Sequence, residues 1–155
     1  MLFRKFTLLL FCFIMAGALF AQDVILKDGK YVTARKGTPY TGIHQEFDEQ
    51  HVLIGEHSIT NGLLNGLTVI YYPSGTKKEE RSYKEGKKDG TWVNWNEDGI
   101  RVAEARFRDG KKDGFWYIWD DKGVKRYEMF YTMGEKKGTW IIWDEKGQIV
   151  TREEY

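Results

Sequence analysis

From Tyr83 onward, short segments rich in aromatic and β-branched residues alternate with turns of Gly, Asp, Asn and Lys, and the alternation has a fixed period. Three stretches read as aromatic, turn, then Trp-x-x-Trp: Tyr83 to Trp95, Phe107 to Trp119 and Tyr131 to Trp143. Their glycines recur every 24 residues, at Gly86, Gly110 and Gly134, at Gly90, Gly114 and Gly138, and at Gly99, Gly123 and Gly147. A period in this range marks a repeat architecture, in which a unit buries its apolar surface only against its neighbours. Within one copy, residues 91–95 read as a strand, Asn96-Glu97-Asp98-Gly99 as the hairpin turn, and residues 101–107 as the returning strand. Asp98-Gly99 suits a tight turn, because glycine accepts positive φ without steric cost. Residues 109–114 then link one hairpin to the next.

The pattern extends backwards in weaker form. Leu67-Thr68-Val69-Ile70-Tyr71-Tyr72 has the β-branched and aromatic content of a strand. Pro73-Ser74-Gly75 closes it, since proline has no amide to give a central ladder. Residues 40–60 form a degenerate copy in which Gly42 precedes Gly66 by the same 24 residues. Ahead of it, Val24, Leu26, Tyr31 and Val32 flank Asp28-Gly29, a hairpin signal. Stacked repeats need atypical end units, so residues 22–39 are expected to be an N-terminal cap. No mature segment has sustained helical periodicity. The expected fold is all-β: an elongated antiparallel meander of stacked hairpins in a single twisted sheet. Its copies are 40–65, 66–89, 90–113, 114–137 and 138–155.

Alternation along the first strand of each copy places apolar residues on both faces. Val93/Trp95, Tyr117/Trp119 and Ile141/Trp143 share one face, while Trp92, Trp116/Ile118 and Trp140/Ile142 share the other. A sheet with one wet face alternates more cleanly. Either the sheet curls on itself or one aromatic stripe stays open to a partner. The register of the second strand, and with it the face taken by Phe107, Tyr127, Met129 and Tyr131, stays open here.

The N-terminus changes the setting. Arg4 and Lys5 precede a nearly uninterrupted apolar run from Phe6 to Phe20, and small residues lead to Ala21-Gln22. That is the order of a secretory signal peptide. The run is shorter than the ~20 residues that comfortably span a bilayer. Residues 1–21 are read as a leader cleaved after Ala21, with Ala18 as the rival site. The protein is expected to be periplasmic, outer-membrane-associated or secreted. Cleavage would remove Cys12, the sole cysteine, leaving no thiol for a disulfide, a nucleophile or a metal. Removing Arg4 and Lys5 from the 24 Lys and Arg residues leaves 22 against 23 Asp and Glu, a formal charge of −1. A nucleic-acid partner, which calls for a basic excess, is not expected.

Two sets of candidate site residues follow. Trp92, Trp116 and Trp140, with Ile118 and Ile142, form a candidate binding stripe. Lys87, Lys88, Lys111, Lys112, Lys136 and Lys137 form a candidate basic edge at the linking turns, opposite the acidic hairpin turns. Glu80, Glu104 and Glu128 also recur. Neighbours two strands apart lie ~10 Å from each other, too far for a retaining glycosidase pair, and they are expected to pair with Arg81, Arg106 and Arg126. His44, His51 and His57 lack the spacing of a zinc site and read as surface residues. Ser58, Ser74 and Ser82 have no nucleophile-elbow surroundings. No cofactor motif and no catalytic residue is expected.

The unit aromatic-x-x-Gly-Lys-Lys-Asp-Gly-x-Trp-x-x-Trp-x-x-x-Gly resembles the bacterial variant of the MORN repeat over residues 66–155, and loosely over 40–60. The resemblance implies sheets of β-hairpins that act in binding or scaffolding, with some members tied to membranes and phospholipids. Many bacterial variants are labelled antitoxin components, a label at odds with a signal peptide. It supplies no shared catalytic residues. The expected partner is a protein of the cell envelope, with a glycan, choline-type ligand or anionic lipid as alternatives. The aromatic hairpins also resemble cell-wall repeats that bind choline or glucans, though those have a shorter period and lack the Gly-Lys-Lys-Asp-Gly link. An open strand edge is a further route to self-association.

Overall fold

The computed structural model describes residues 23–155; the expected leader and its cleavage points lie outside them. The described chain holds twelve strands and no helix: β1 (Val24–Lys27), β2 (Lys30–Thr33), β3 (Gly42–Phe47), β4 (Leu53–Thr60), β5 (Leu63–Tyr71), β6 (Lys77–Lys84), β7 (Lys87–Trp95), β8 (Arg101–Arg108), β9 (Lys111–Trp119), β10 (Lys125–Thr132), β11 (Glu135–Trp143) and β12 (Ile149–Glu154). Strands β3 to β12 form one ten-stranded sheet in strict chain order, every neighbour antiparallel, without closure into a barrel. The expected all-β meander is the observed one. β1 and β2 make a separate hairpin joined to it by Tyr31, whose amide donates to the Gly62 carbonyl at 2.8 Å and whose carbonyl accepts from Tyr40 at 3.0 Å.

The two kinds of turn exchange the roles expected of them. The tight turns are the linking ones. Glu85/Gly86, Asp109/Gly110 and Met133/Gly134 all have positive φ, between 48° and 98°. Two central residues in that region define the type I′ turn, whose twist matches that of paired strands. The strands after these turns therefore begin at Lys87, Lys111 and Glu135, four residues earlier than Thr91 and its equivalents. The hairpin turns are longer. Gly99 donates to the Asn96 carbonyl at 3.0 Å, Asn96 donates to the Ile100 carbonyl at 2.9 Å, and Asn96 Oδ1 accepts the Ile100 amide at 2.9 Å. Asp120 Oδ1 accepts Lys122 and Val124 in the same way, and Asp144 Oδ1 accepts Lys146 and Gln148. The side chain at the head of the loop substitutes for strand pairing, so the Asp98-Gly99 pair does not form a two-residue turn.

Early strand starts create a bulge at the Lys-Asp-Gly signature of β7 and β9, and at Lys136-Lys137-Gly138 in β11. Arg81 lies opposite Trp92 while Tyr83 lies opposite Lys88, so three residues of β7 face one of β6. Gly90 bends through the bulge at φ 93°, and a Cβ there would stand 3.0 Å from that of Ser82. The next tight turn docks onto this bulge. The Asp109 amide donates to Asp89 Oδ2 at 3.1 Å, and the Gly110 amide donates to the Lys88 carbonyl at 2.8 Å. One copy later, Met133 donates to Asp113 at 3.0 Å and Gly134 to the Lys112 carbonyl at 2.7 Å. Asn65 and Leu64 do the same for Glu85 and Gly86.

There is little interior. Among the described residues, the buried apolar side chains are Val32, Ile59, Val93 and Tyr131. With no second layer among the described residues, stability has to come from cross-strand contacts. Replacing Asp113, whose side chain is 11% exposed and also pairs with Arg108 at 2.7 Å, is therefore costly. Asp113→Ala is expected to lower stability by ~1.5–3 kcal/mol, because the charge-assisted bond from the Met133 amide and the pairing with Arg108 are both lost. Asp113→Asn should recover most of it, as Asn65 performs the task in an earlier copy. Chemical denaturation of the three proteins tests this, and equal stability of the Ala and Asn variants would refute it.

Candidate functional site

Cross-strand register assigns each face. Trp92 lies opposite Ala105, Ala105 opposite Trp116, Trp116 opposite Met129, and Trp140 opposite Glu153. Phe107, Tyr127, Met129 and Tyr131 all join the face of Trp92. On it a continuous aromatic ladder runs Tyr83, Trp92, Phe107, Trp116, Tyr131, Trp140, Tyr155, with successive centroids 4.8–5.5 Å apart. Each indole N–H donates to a carbonyl across the bulge: Trp92 to Ser82 at 3.0 Å, Trp116 to Arg106 at 3.2 Å, Trp140 to Phe130 at 3.3 Å. The three candidate tryptophans are thus brought together, and each is engaged in closing the sheet. Ile118, 37% exposed, lies between Ala103 and Tyr127, and Ile142 between Tyr127 and Thr151.

The six candidate lysines do not form one edge. Lys88, Lys112 and Lys136 lie over the ladder, with Nζ 4.2, 4.1 and 4.2 Å from the centroids of Trp92, Trp116 and Trp140. Each also sits over a second ring, Phe107 at 5.0 Å, Tyr131 at 4.6 Å and Tyr155 at 4.2 Å. Lys87 stays at the turn, 3.7 Å from Asp109. Lys111 is exposed at the start of β9. Lys137 pairs with Glu135 at 3.4 Å and stands 24 residues after Asp113, in the place of the bulge carboxylate.

A second stripe, outside the candidate site residues, occupies the opposite face. Trp95, Trp119 and Trp143 alternate there with Lys77, Arg101 and Lys125 from the intervening strands. Lys77 lies 5.3 Å over Trp95, Arg101 5.9 Å over Trp119, and Lys125 5.5 Å over Trp143. These cations hold the glutamate row: Lys77–Glu80 at 2.7 Å, Arg101–Glu104 at 2.7 Å and Lys125–Glu128 at 2.9 Å. The expected partners were wrong. Arg81 pairs with Glu79, and Arg126 with Asp120 at 3.8 Å, because the bulge beside each hairpin turn brings the residue three positions upstream over the glutamate. Burial, then Glu128, raises the Tyr117 phenol above its ordinary value, as befits a ring packed into this row. The same face exposes Ile43, Phe47, Leu67, Phe115 and Ile149, between 43% and 57%. The Trp-x-x-Trp spacing announced this stripe; its ionic partners required the register.

At the N-terminal end the ladder face changes character. Tyr31 of the cap hairpin lies 5.8 Å from His44 and 6.1 Å from His57, and the two imidazoles are 6.0 Å apart. His57 is 8% exposed, with Nε2 3.2 Å from Glu46 and Nδ1 unpartnered. His44 and His57 are therefore packing residues, whereas His51 lies in a turn at φ 61°. Among the described residues no group of three or more His, Cys, Asp or Glu side chains is placed to hold a metal ion. No family model matches the chain, and no curated protein matches it in sequence.

Burial, and next the neighbouring His57, lower the His44 pKa from its ordinary 6.5, with Glu46 opposing. A base held neutral by folding contributes its full stability above its unfolded value and loses it as the pH falls through the folded one. Acidification is thus expected to loosen the cap hairpin at Tyr31. Amide exchange of Tyr31, corrected for intrinsic rate, should accelerate as the pH drops from about 7 to about 5, and His44→Gln should flatten that dependence. A constant protection factor would dismiss the coupling.

Proposed function

We propose that the protein is an exported, non-catalytic repeat scaffold that binds a protein partner of the cell envelope through the Trp95/Trp119/Trp143 face. The observation that carries this reading is that the sheet has no second layer among the described residues, which leaves that face open with five exposed large apolar side chains. Its three cations over the tryptophans, Lys77, Arg101 and Lys125, are each paired with a glutamate, so an apolar anchor can dock beside the stripe without stranding them. Aromatic residues such as the exposed Phe47 and Phe115 are enriched in the cores of protein interfaces. The Trp92/Trp116/Trp140 stripe supports the reading less, because its rings are spent on one another and on backbone carbonyls. The non-catalytic part rests on the glutamate row, in which Glu80, Glu104 and Glu128 are held singly by a cation rather than paired with each other. Export rests on the leader-like N-terminus, and the scaffold role also on the resemblance to bacterial MORN repeats.

The test combines location with capture. The mature protein should begin at Gln22 and be recovered outside the cytoplasm. A photo-crosslinker at Phe115 should trap one defined envelope protein, and Leu67→Glu/Phe115→Glu should lose it while melting within a few degrees of the parent. A crosslinker at Ile118, on the other face, should not trap it. Equal trapping at Phe115 and Ile118, or capture unchanged by the two glutamates, would overturn the reading.

A further inference from the structure

The two faces differ in one respect that packing does not require. On both, a cation lies over a tryptophan in each of the three tryptophan-bearing copies. On the Trp95 face, Lys77, Arg101 and Lys125 each have a carboxylate within 2.9 Å. On the ladder face, Lys88, Lys112 and Lys136 have none among the described residues. Lys112 meets only the Tyr131 hydroxyl at 3.4 Å, and Lys136 the Tyr155 hydroxyl at 3.2 Å. From β7 to β12 the sole acidic residue in register on that face is Glu153, at the last strand, bonded by the Tyr155 hydroxyl. A cation held over rings keeps its outer N–H groups free for an anion. Three such ammonium groups stand in a row, fixed by the ladder beneath them.

We propose that this row binds an extended anionic polysaccharide carrying one carboxylate per disaccharide. Successive lysines belong to strands two apart, which sets their separation at ~9.6 Å. A disaccharide of an extended, equatorially linked chain is about that long, so one sugar in two meets an ammonium group. An extended acidic peptide repeats on one side every ~6.8 Å and falls out of step after the first contact. An anionic membrane has no period to match. Contact is ionic, since the lysines cover the tryptophan faces on which a neutral sugar would stack. The proposal uses the face opposite the protein-docking surface and does not rest on it.

The test measures binding of the mature chain to a hyaluronan oligosaccharide, with its carboxylate on every second sugar. Comparison probes are a chitooligosaccharide of equal length, a poly-glutamate peptide and phosphatidylglycerol vesicles. Binding to the alternating oligosaccharide should weaken with salt and exceed binding to the neutral and peptide probes by about ten-fold or more. Lys88→Gln/Lys112→Gln/Lys136→Gln should lose about ten-fold or more, whereas Lys87→Gln/Lys111→Gln/Lys137→Gln, which leaves the ladder untouched, should not. Lys88→Arg/Lys112→Arg/Lys136→Arg keeps the charge over the rings and should keep binding, which separates lost recognition from lost folding. Equal loss in both glutamine variants, no binding of the alternating oligosaccharide, or tighter binding to poly-glutamate or vesicles would each overturn the proposal.

Discussion

In each full copy, the turn that starts a new hairpin gives both of its amides back to the copy before. Asp109 and Gly110 donate to the Asp89 carboxylate and the Lys88 carbonyl, and Met133 and Gly134 repeat this on Asp113 and Lys112. The acceptors are available only because a bulge turns them out of the ladder, and the bulge exists because Gly90 and Gly114 take positive φ. A tight turn alone leaves its amides to water. Docked, it fixes where the next strand starts, and so its register and the face of each of its side chains. Much of the rest of the structure depends on that handover.

The aromatic ladder then works at right angles to the strands. Its six successive ring contacts run from β6 to Tyr155, the residue after β12. At ~0.5–1.5 kcal/mol each beyond area burial, such contacts together match a large share of the stability a small domain has. The indole bonds to the Ser82, Arg106 and Phe130 carbonyls tie the ladder back to the bulges. Turn docking and ring stacking are therefore coupled through the same residues. A change at Asp113 shifts the strand that carries Trp116 as well as the turn that docks on it.

The period, the all-β class and the two faces of each first strand were legible, because glycine spacing and side-chain alternation are local signals. Turn type was not. Asp98-Gly99 and Asp109-Gly110 are the same dipeptide, yet only the second is a two-residue turn. The difference lies in Asn96, Asp120 and Asp144, whose side chains hold the longer loop closed; their 24-residue recurrence was visible, but their bonds were not. Asp89 and Asp113 were visible as letters of the repeat, but their partners lie 20 residues downstream, beyond any local rule. The pairing of Glu80, Glu104 and Glu128 with residues three positions upstream likewise depends on the bulge by each hairpin turn. His44 and His57 read as surface residues because nothing in the sequence places Tyr31 over them.

Period and turn chemistry also explain why the candidate lysines divide. A repeat written Gly-Lys-Lys-Asp-Gly sets its two lysines on successive strand positions, and successive positions point to opposite sides. Lys88 and Lys112 consequently cover the ladder while Lys87 and Lys111 remain with the turns. In the last copy Glu135 and Lys137 replace the outer lysine and the bulge aspartate, but Lys136 is kept in place over Trp140 and Tyr155. The inner lysine thus persists in a copy where its neighbours have changed. Any anion that reads this face reads the inner positions, at the spacing the strands impose.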